Sequence, residues 1–334
     1  EWGGGTLTVS GAPQIQGRNS YALQVAGGTV TLSGGSYTTG VENGCSIWNA
    51  DGTAGTLLDS GCRYQDENGK ESAYSEGGNG VVGNTTVHER PANEFAYMGA
   101  DGTEQTHAGC TELTEAGFEG ALAGDETWFA AKGNVTADGP LQVCGTVNLI
   151  LCDGVTVTLN KGIALNGDAE NVATLNIYAQ SGGTGTLICS GPSDSGCAGI
   201  YDNSIGNETA LNIYGGKITA TGSSNSGAPG APDNCGAGIG TSASDKNGST
   251  MTVNISGGTV TAKSGGKDAQ AIGNGANARG KVTVKIAPGM KCVRTDDLNT
   301  ACDPGNTDGT SVTVTKCSEH EWKYTYTEDS STHT

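Results

Sequence analysis

Residues 211–222, LNIYGGKITATG, followed by AGI at 237–239, decide the fold. Two short runs of alternating apolar residues are broken by Gly215-Gly216, and a third run follows after a loop. The same pattern recurs upstream as TLNIYAQSGGTGTLICSG (174–191) with AGI at 198–200. It recurs downstream as TVNISGGTVTAKSG (252–265) with AIG at 271–273. A compressed copy, VNLILCDGVTVTLNKGIAL, occupies 147–165. A unit this short cannot bury its own apolar face, so copies must stack.

Aligning the copies assigns the side chains to faces, because residues two apart share one face of a strand. Leu149, Ile177, Ile213, Ile255 and Val284 form one inward column, and Val147, Leu175, Leu211, Val253 and Val282 form another. Ile163, Ile200, Ile239 and Ile272 form a third. Outward lie Asn148, Asn176, Asn212, Asn254 and Thr283, then Ile150, Tyr178, Tyr214, Ser256 and Lys285. The spacing Asn176 to Asn212 to Asn254 is 36 and then 42 residues, within the range of solenoid repeats. The predicted fold is all-β: a parallel β-helix with three short strands per coil. It is right-handed, because parallel crossovers within one sheet nearly always are.

The rest of the chain divides around this solenoid. Residues 1–70 repeat the grammar (TLTVSG, YALQVAGGTVTLSGG) and read as terminal coils of a first β-helix. Residues 71–126 show no clean alternation and read as an irregular connector or cap, since an open solenoid end must be covered. A second β-helix spans 127–293, a closing hairpin 294–317, and a tail or the start of a next module 318–334. The chain opens inside a repeat, GGGTLTVSG, as a piece of a longer protein would.

Composition narrows the partners. With 57 Gly among 334 residues, 16% charged and 5% aromatic, a thin aliphatic core is expected. Net charge is −18 with only 17 Lys plus Arg, which argues against nucleic acid. No apolar run is long enough to insert in a membrane. The 11 cysteines indicate an oxidising, extracellular setting. Cys197 with Cys235, Cys292 with Cys302, and Cys45 with Cys62 are the expected disulfides. Cys144, Cys152 and Cys189 compete for one another, and the odd count leaves at least one cysteine single.

Residues 147–163 together with LNIY, GTGTL, AGI and GGTVTA resemble β-helix modules of large secreted or wall-anchored surface proteins of gut Firmicutes, often labelled carbohydrate-binding-domain-containing. The resemblance covers 127–293 and, more loosely, 1–70. The tail CSEHEWKYTYTEDSSTHT resembles the spacer that follows such modules. The resemblance implies a surface adhesin that meets a glycan or a host surface glycoprotein, beside neighbouring modules of one longer chain.

The outward columns are the candidate binding face. Stacked asparagines hydrogen-bond along the solenoid axis as a structural ladder, or offer amides to sugar hydroxyls. Tyr178 and Tyr214 stack on pyranose rings if they are open to solvent, and are merely docked on if the connector covers them. The expected glycan contacts are Asn176, Tyr178, Asn212, Tyr214 and Asn254.

Catalysis is the alternative, as a polysaccharide lyase or glycoside hydrolase. A glycosidase needs two carboxylates roughly 5–9.5 Å apart, and the outward strand columns carry none. Asp194, Asp202, Asp233, Asp245 and Asp268 fall on loops, and Asp153 sits alone at a turn. A structural stalk or filament subunit is the third reading. No cofactor is expected. Asp303, Asn306 and Asp308 offer oxygens for a structural Ca²⁺, though an Asx-rich turn suits them better. Cys317, His320 and His333 form an incomplete zinc pattern.

Overall fold

The computed structural model describes residues 5–18, 21–59, 62–89, 93–114, 121–168, 170–204, 206–225, 234–243, 248, 250–294 and 311–317. The chain forms two compact units, Glu1–Glu94 and Phe95–Thr334. The division falls inside the segment read as a connector. The expected Ca²⁺ ligands, together with His320, His333 and Cys302, lie outside the described residues. Among the described residues no helix is long and apolar enough to cross a membrane.

In the first unit three pairs of short strands run parallel: Thr6–Val9 on Thr29–Leu32, Gln14–Gln16 on Ser36–Thr38, and Leu23–Val25 on Cys45–Asn49. Antiparallel strands then close the stack. Gly80–Val82 pairs with Cys45–Asn49, and Thr85–Glu89 pairs with both Ser36–Thr38 and Cys62–Gln65. Contrary to a purely aliphatic core, Tyr37 and Tyr64 are fully buried here. Each satisfies its hydroxyl by donating to a backbone carbonyl, of Gly34 at 3.1 Å and of Ala54 at 2.8 Å. Burial raises both phenol pKa values, that of Tyr37 to about 12.

The second unit is solenoid-like, with three parallel stacks that the chain visits in fixed order. One round is Ile163–Leu165, Ala173–Ala179 and Thr186–Ser190. The next is Ile200–Asp202, Glu208–Ile213 and Lys217–Thr221, and then Ile239–Gly240, Thr250–Ile255 and Thr259–Lys263. Like pairs with like throughout, always parallel. The long strand Leu141–Leu151 serves two stacks, pairing with Ile163–Leu165 through Leu141–Val143 and with Ala173–Ala179 through Thr146–Leu151. Gly145 between them has φ +75°, a left-handed bend that a side chain would strain. Parallel pairing reaches upstream of residue 127: Ala121–Ala131 lies on Leu141–Leu151, and Thr111–Glu112 lies on Phe129–Ala130.

The inward columns are buried as their alternation requires. Leu149, Ile177, Ile213, Val147, Leu175, Leu211 and Val253 are fully buried, as are Ile163, Ile200, Ile239 and Ile272. The last strand, Lys281–Ile286, departs from the expected alignment by two residues: Val284 pairs with Val253, Ile286 with Ile255, and Lys285 rather than Thr283 with Asn254. The third stack then reverses. Ser311–Lys316 runs antiparallel to Thr259–Lys263 on one side and to Met290–Arg294 on the other.

Two of the expected cysteine pairs are not bridged, and no disulfide joins two described cysteines. Gly236, not Cys235, lies on the backbone of Cys197. The extra residue in CGAGI shifts Cys235 by one position, and a shift of one turns a side chain to the opposite face. Cys235 is accordingly buried against Ala269 and Ala276, whereas Cys197 is half-exposed. Cys45 and Cys62 lie on strands of separate sheets. Asp202 likewise is not on a loop: it ends the strand Ile200–Asp202, buried, and accepts from the backbone N–H and the hydroxyl of Ser204.

Candidate functional site

The site of interest is the outward face of the stack containing Ala173–Ala179, Glu208–Ile213 and Thr250–Ile255. In-register pairing aligns Asn148, Asn176, Asn212 and Asn254. Their amides form a continuous ladder. Asn254 Nδ2 donates to Asn212 Oδ1 at 2.7 Å, Asn212 Nδ2 to Asn176 Oδ1 at 2.7 Å, and Asn176 Nδ2 to Asn148 Oδ1 at 2.8 Å. The donors all point toward the N-terminal coils, so the ladder has a direction. At its donor end Asn148 is only 2% exposed, and its Nδ2 has no hydrogen-bond partner. Trp128 occupies the same column one rung further.

An aromatic stack runs beside the ladder. Tyr178 and Tyr214 are parallel with centroids 4.9 Å apart, Trp128 lies 5.5 Å from Tyr178, and His107 lies 4.1 Å from Trp128. Tyr97 tilts against both Trp128 and Tyr178, at 5.1 and 4.8 Å. The tyrosines expected to face solvent are therefore half-buried, Tyr178 on both sides of its ring. Burial, reinforced by Tyr214 and Tyr97, pushes the Tyr178 phenol up to about 12, and burial also raises that of Tyr214.

What covers Tyr178 is a hairpin within the segment read as irregular. Phe95–Met98 pairs antiparallel with Glu104–His107. Its turn is GADG: Gly102 has φ +77°, and Asp101 Oδ1 accepts from the Thr103 N–H at 3.0 Å and the Thr103 hydroxyl at 2.7 Å. Those bonds, the hydroxyl's first, hold the Asp101 carboxyl below the usual carboxylate range. Tyr97 reaches the aromatic stack and donates its hydroxyl to Gln105 Oε1 at 2.9 Å. Tyr97, Cys110, Ala130 and Ile150 bury one another, which explains how Ile150, an outward residue, is fully buried.

Two clefts flank the hairpin tip. One, of about 390 Å³, is lined by Tyr214, Gln180, Lys217, Ser256 and the tip residues Gly99 and Ala100. The other, of about 420 Å³, is lined by Tyr97, Trp128, Tyr178, Asn148, Asn176, Asp101 and Glu126. Gly99 and Ala100 border both.

Of the five residues expected to contact ligand, Tyr214 lines the first cleft, and Asn176 and Tyr178 line the second. Asn212 and Asn254 are engaged in the ladder. Trp128, Tyr97, His107, Asp101 and Glu126 are additions from the structure. Trp128 was within reach of the sequence, because WFAA aligns with NLIL and puts the indole above Asn148.

Asp153, read as a solvated turn, clamps the next coil. It accepts from the backbone of Gly182 at 3.0 Å and from the backbone and hydroxyl of Thr184 at 2.9 and 3.0 Å. These bonds, the Thr184 backbone first, lower its pKa. Among the described residues no group of three His, Cys, Asp or Glu side chains is placed to hold a metal ion. No family model, curated protein or solved structure matches the chain.

Proposed function

We propose that this chain is an extracellular surface module, secreted or anchored in a cell wall, that binds glycan and does not cleave it. We read its second unit as a right-handed β-helix with three strands per coil; the fixed order of visits to three parallel stacks supports this. The observation that carries the function is the end of the aromatic stack. Tyr178 covers one face of the Tyr214 ring, and no described ring stacks on the other. One coil further the column holds the small Ser256, which leaves the cleft of about 390 Å³ beside the phenol. A pyranose ring, whose C–H groups suit a π face, would be the next member of the stack. Gln180, Ser256 and Lys217 ring the same cleft with hydrogen-bonding groups for the hydroxyls.

Asp101, in the second cleft, is held ionised by its bonds to Thr103. That suits pairing with ligand hydroxyls or charge, not donation of a proton to a glycosidic oxygen. A glycan array probed with the full chain tests binding. Tyr214→Ala is expected to abolish the signal and to lower the melting temperature by only a few degrees, the loss of one half-buried ring stacked on Tyr178. Binding unchanged in Tyr214→Ala would remove the site from this cleft. Release of reducing ends from the bound glycan would replace the binding module with an enzyme.

A further inference from the structure

The second cleft has a chemistry that selects among sugars. Its aromatic wall is Trp128, Tyr178 and Tyr97, and the charged side chains lining it, Asp101 and Glu126, are both acids. Asn148 contributes a second and independent feature. It is 2% exposed, it borders the cleft, and its Nδ2 is the one ladder donor with no acceptor. A buried donor left unpaired has a free-energy cost that a ligand oxygen would relieve. The three interior bonds of the ladder polarise in one sense, which strengthens the terminal donor.

We infer that this cleft is a subsite for a hexose ring that is amine-bearing or neutral, and that it rejects acidic sugars. The inference rests on the glycan reading above and names the class of sugar. The faces of Trp128 and Tyr178 are taken by His107, by each other and by Tyr214, so the sugar packs against their edges, and a ring hydroxyl accepts from Asn148 Nδ2. A protonated 2-amino group sits against Glu126 and Asp101, the two carboxylates that line the cleft. A uronic or sialic carboxylate entering the same space meets two carboxylates within a chain of net charge −18. Because Gly99 and Ala100 border both clefts, one oligosaccharide passing the hairpin tip reaches Tyr214 and this subsite together.

Titration calorimetry of the full chain with three oligosaccharides of equal length tests this: a glucosamine oligomer, its N-acetylated counterpart and an oligogalacturonate. The expected order of affinity is amine first, acetamide second, and the acid at least tenfold weaker than the amine. Glu126→Gln, a change at an exposed side chain, is expected to weaken the glucosamine oligomer about tenfold, the loss of one charge-assisted hydrogen bond, and to leave the N-acetylated oligomer within about twofold. Equal affinities for all three oligomers, with binding still lost in Tyr214→Ala, would overturn the selectivity and leave the glycan reading standing. Tighter binding of the oligogalacturonate would also overturn it. Failure of all three to bind would remove both.

Discussion

Replacing one interior asparagine of the ladder tests whether it acts as a connected unit. Asn176 takes part in two ladder bonds, of 2.8 Å to Asn148 and 2.7 Å from Asn212. Asn176→Ala removes both and leaves Asn148 Oδ1, on a residue only 2% exposed, with no ladder donor. At about 0.5–1.5 kcal/mol net per bond, the loss is about 1–3 kcal/mol, toward the upper end because a buried acceptor is orphaned. Asn254 stands at the other end and takes part in one ladder bond, 2.7 Å to Asn212. Asn254→Ala should therefore cost about 0.5–1.5 kcal/mol. Asn176→Asp separates the two directions, since a carboxylate still accepts from Asn212 but cannot donate to Asn148. Because it also sets a carboxylate oxygen against Asn148 Oδ1, two acceptors in contact, its cost should be no less than that of Asn176→Ala. Equilibrium urea unfolding gives the differences, and native-state hydrogen exchange locates them in Ala173–Ala179 and its neighbours. Equal costs for Asn176→Ala and Asn254→Ala, or no measurable cost for Asn176→Ala, would refute a directional ladder and reduce the asparagines to surface decoration.

Ile213→Ala, at a fully buried position between Ile177 and Ile255, should cost about 2–5 kcal/mol by thermal or urea unfolding. Ile286→Ala, in the partly buried last strand, should cost distinctly less, and a reversal of that order would contradict the two-residue offset there. The Cys189 thiol, raised in pKa by complete burial, and Cys152, raised to about 11 mainly by burial, should resist alkylation in the native state, whereas half-exposed Cys144 and Cys197 react; peptide mapping reads this directly. Asp153 has a folded pKa below its unfolded value of 3.8, so its clamp contributes fully above that pH and is lost as pH falls through the folded value. Wild type and Asp153→Asn should accordingly differ in urea midpoint at about pH 6 and converge in stronger acid.

Most of the second unit's core was legible because its alternation has a period of two and Ile, Leu and Val recur at fixed offsets. The same period explains the one misplaced strand. KVTVKI offers Val282 and Val284 or Val284 and Ile286 as its inward pair, and a slip of two keeps every side chain on its face. A slip of one is visible in principle: Gly236 stands between Cys235 and AGI, and counting it separates Cys235 from Cys197. The asparagine and tyrosine columns were legible for the same periodic reason. Their surroundings were not, because the hairpin over them makes non-local contacts that leave no period in the sequence. Its local sign was present: FAYM and EQTH flank GADGT, with the Asp-Gly of a tight turn. That Tyr97 would reach Trp128 and Tyr178, and so convert an open aromatic pair into a walled cleft, depends on docking that no strand pattern encodes.

The reversal of the third stack has a consequence for how this unit can grow. Up to Thr259–Lys263 each coil meets a parallel neighbour on all three sides, so an inserted copy of residues 200–221 finds the same donors and acceptors above and below it. Beyond that strand the next partner, Ser311–Lys316, runs the other way. A parallel and an antiparallel edge present their N–H and C=O groups in different spacing, so a copy added there would have to expel the reversed strand before it could pair. Gene duplication can therefore lengthen the unit from within, one whole coil at a time, while the reversed strand acts as a stop. The number of coils between the hairpin that walls the clefts and this stop sets the length of the asparagine-lined face.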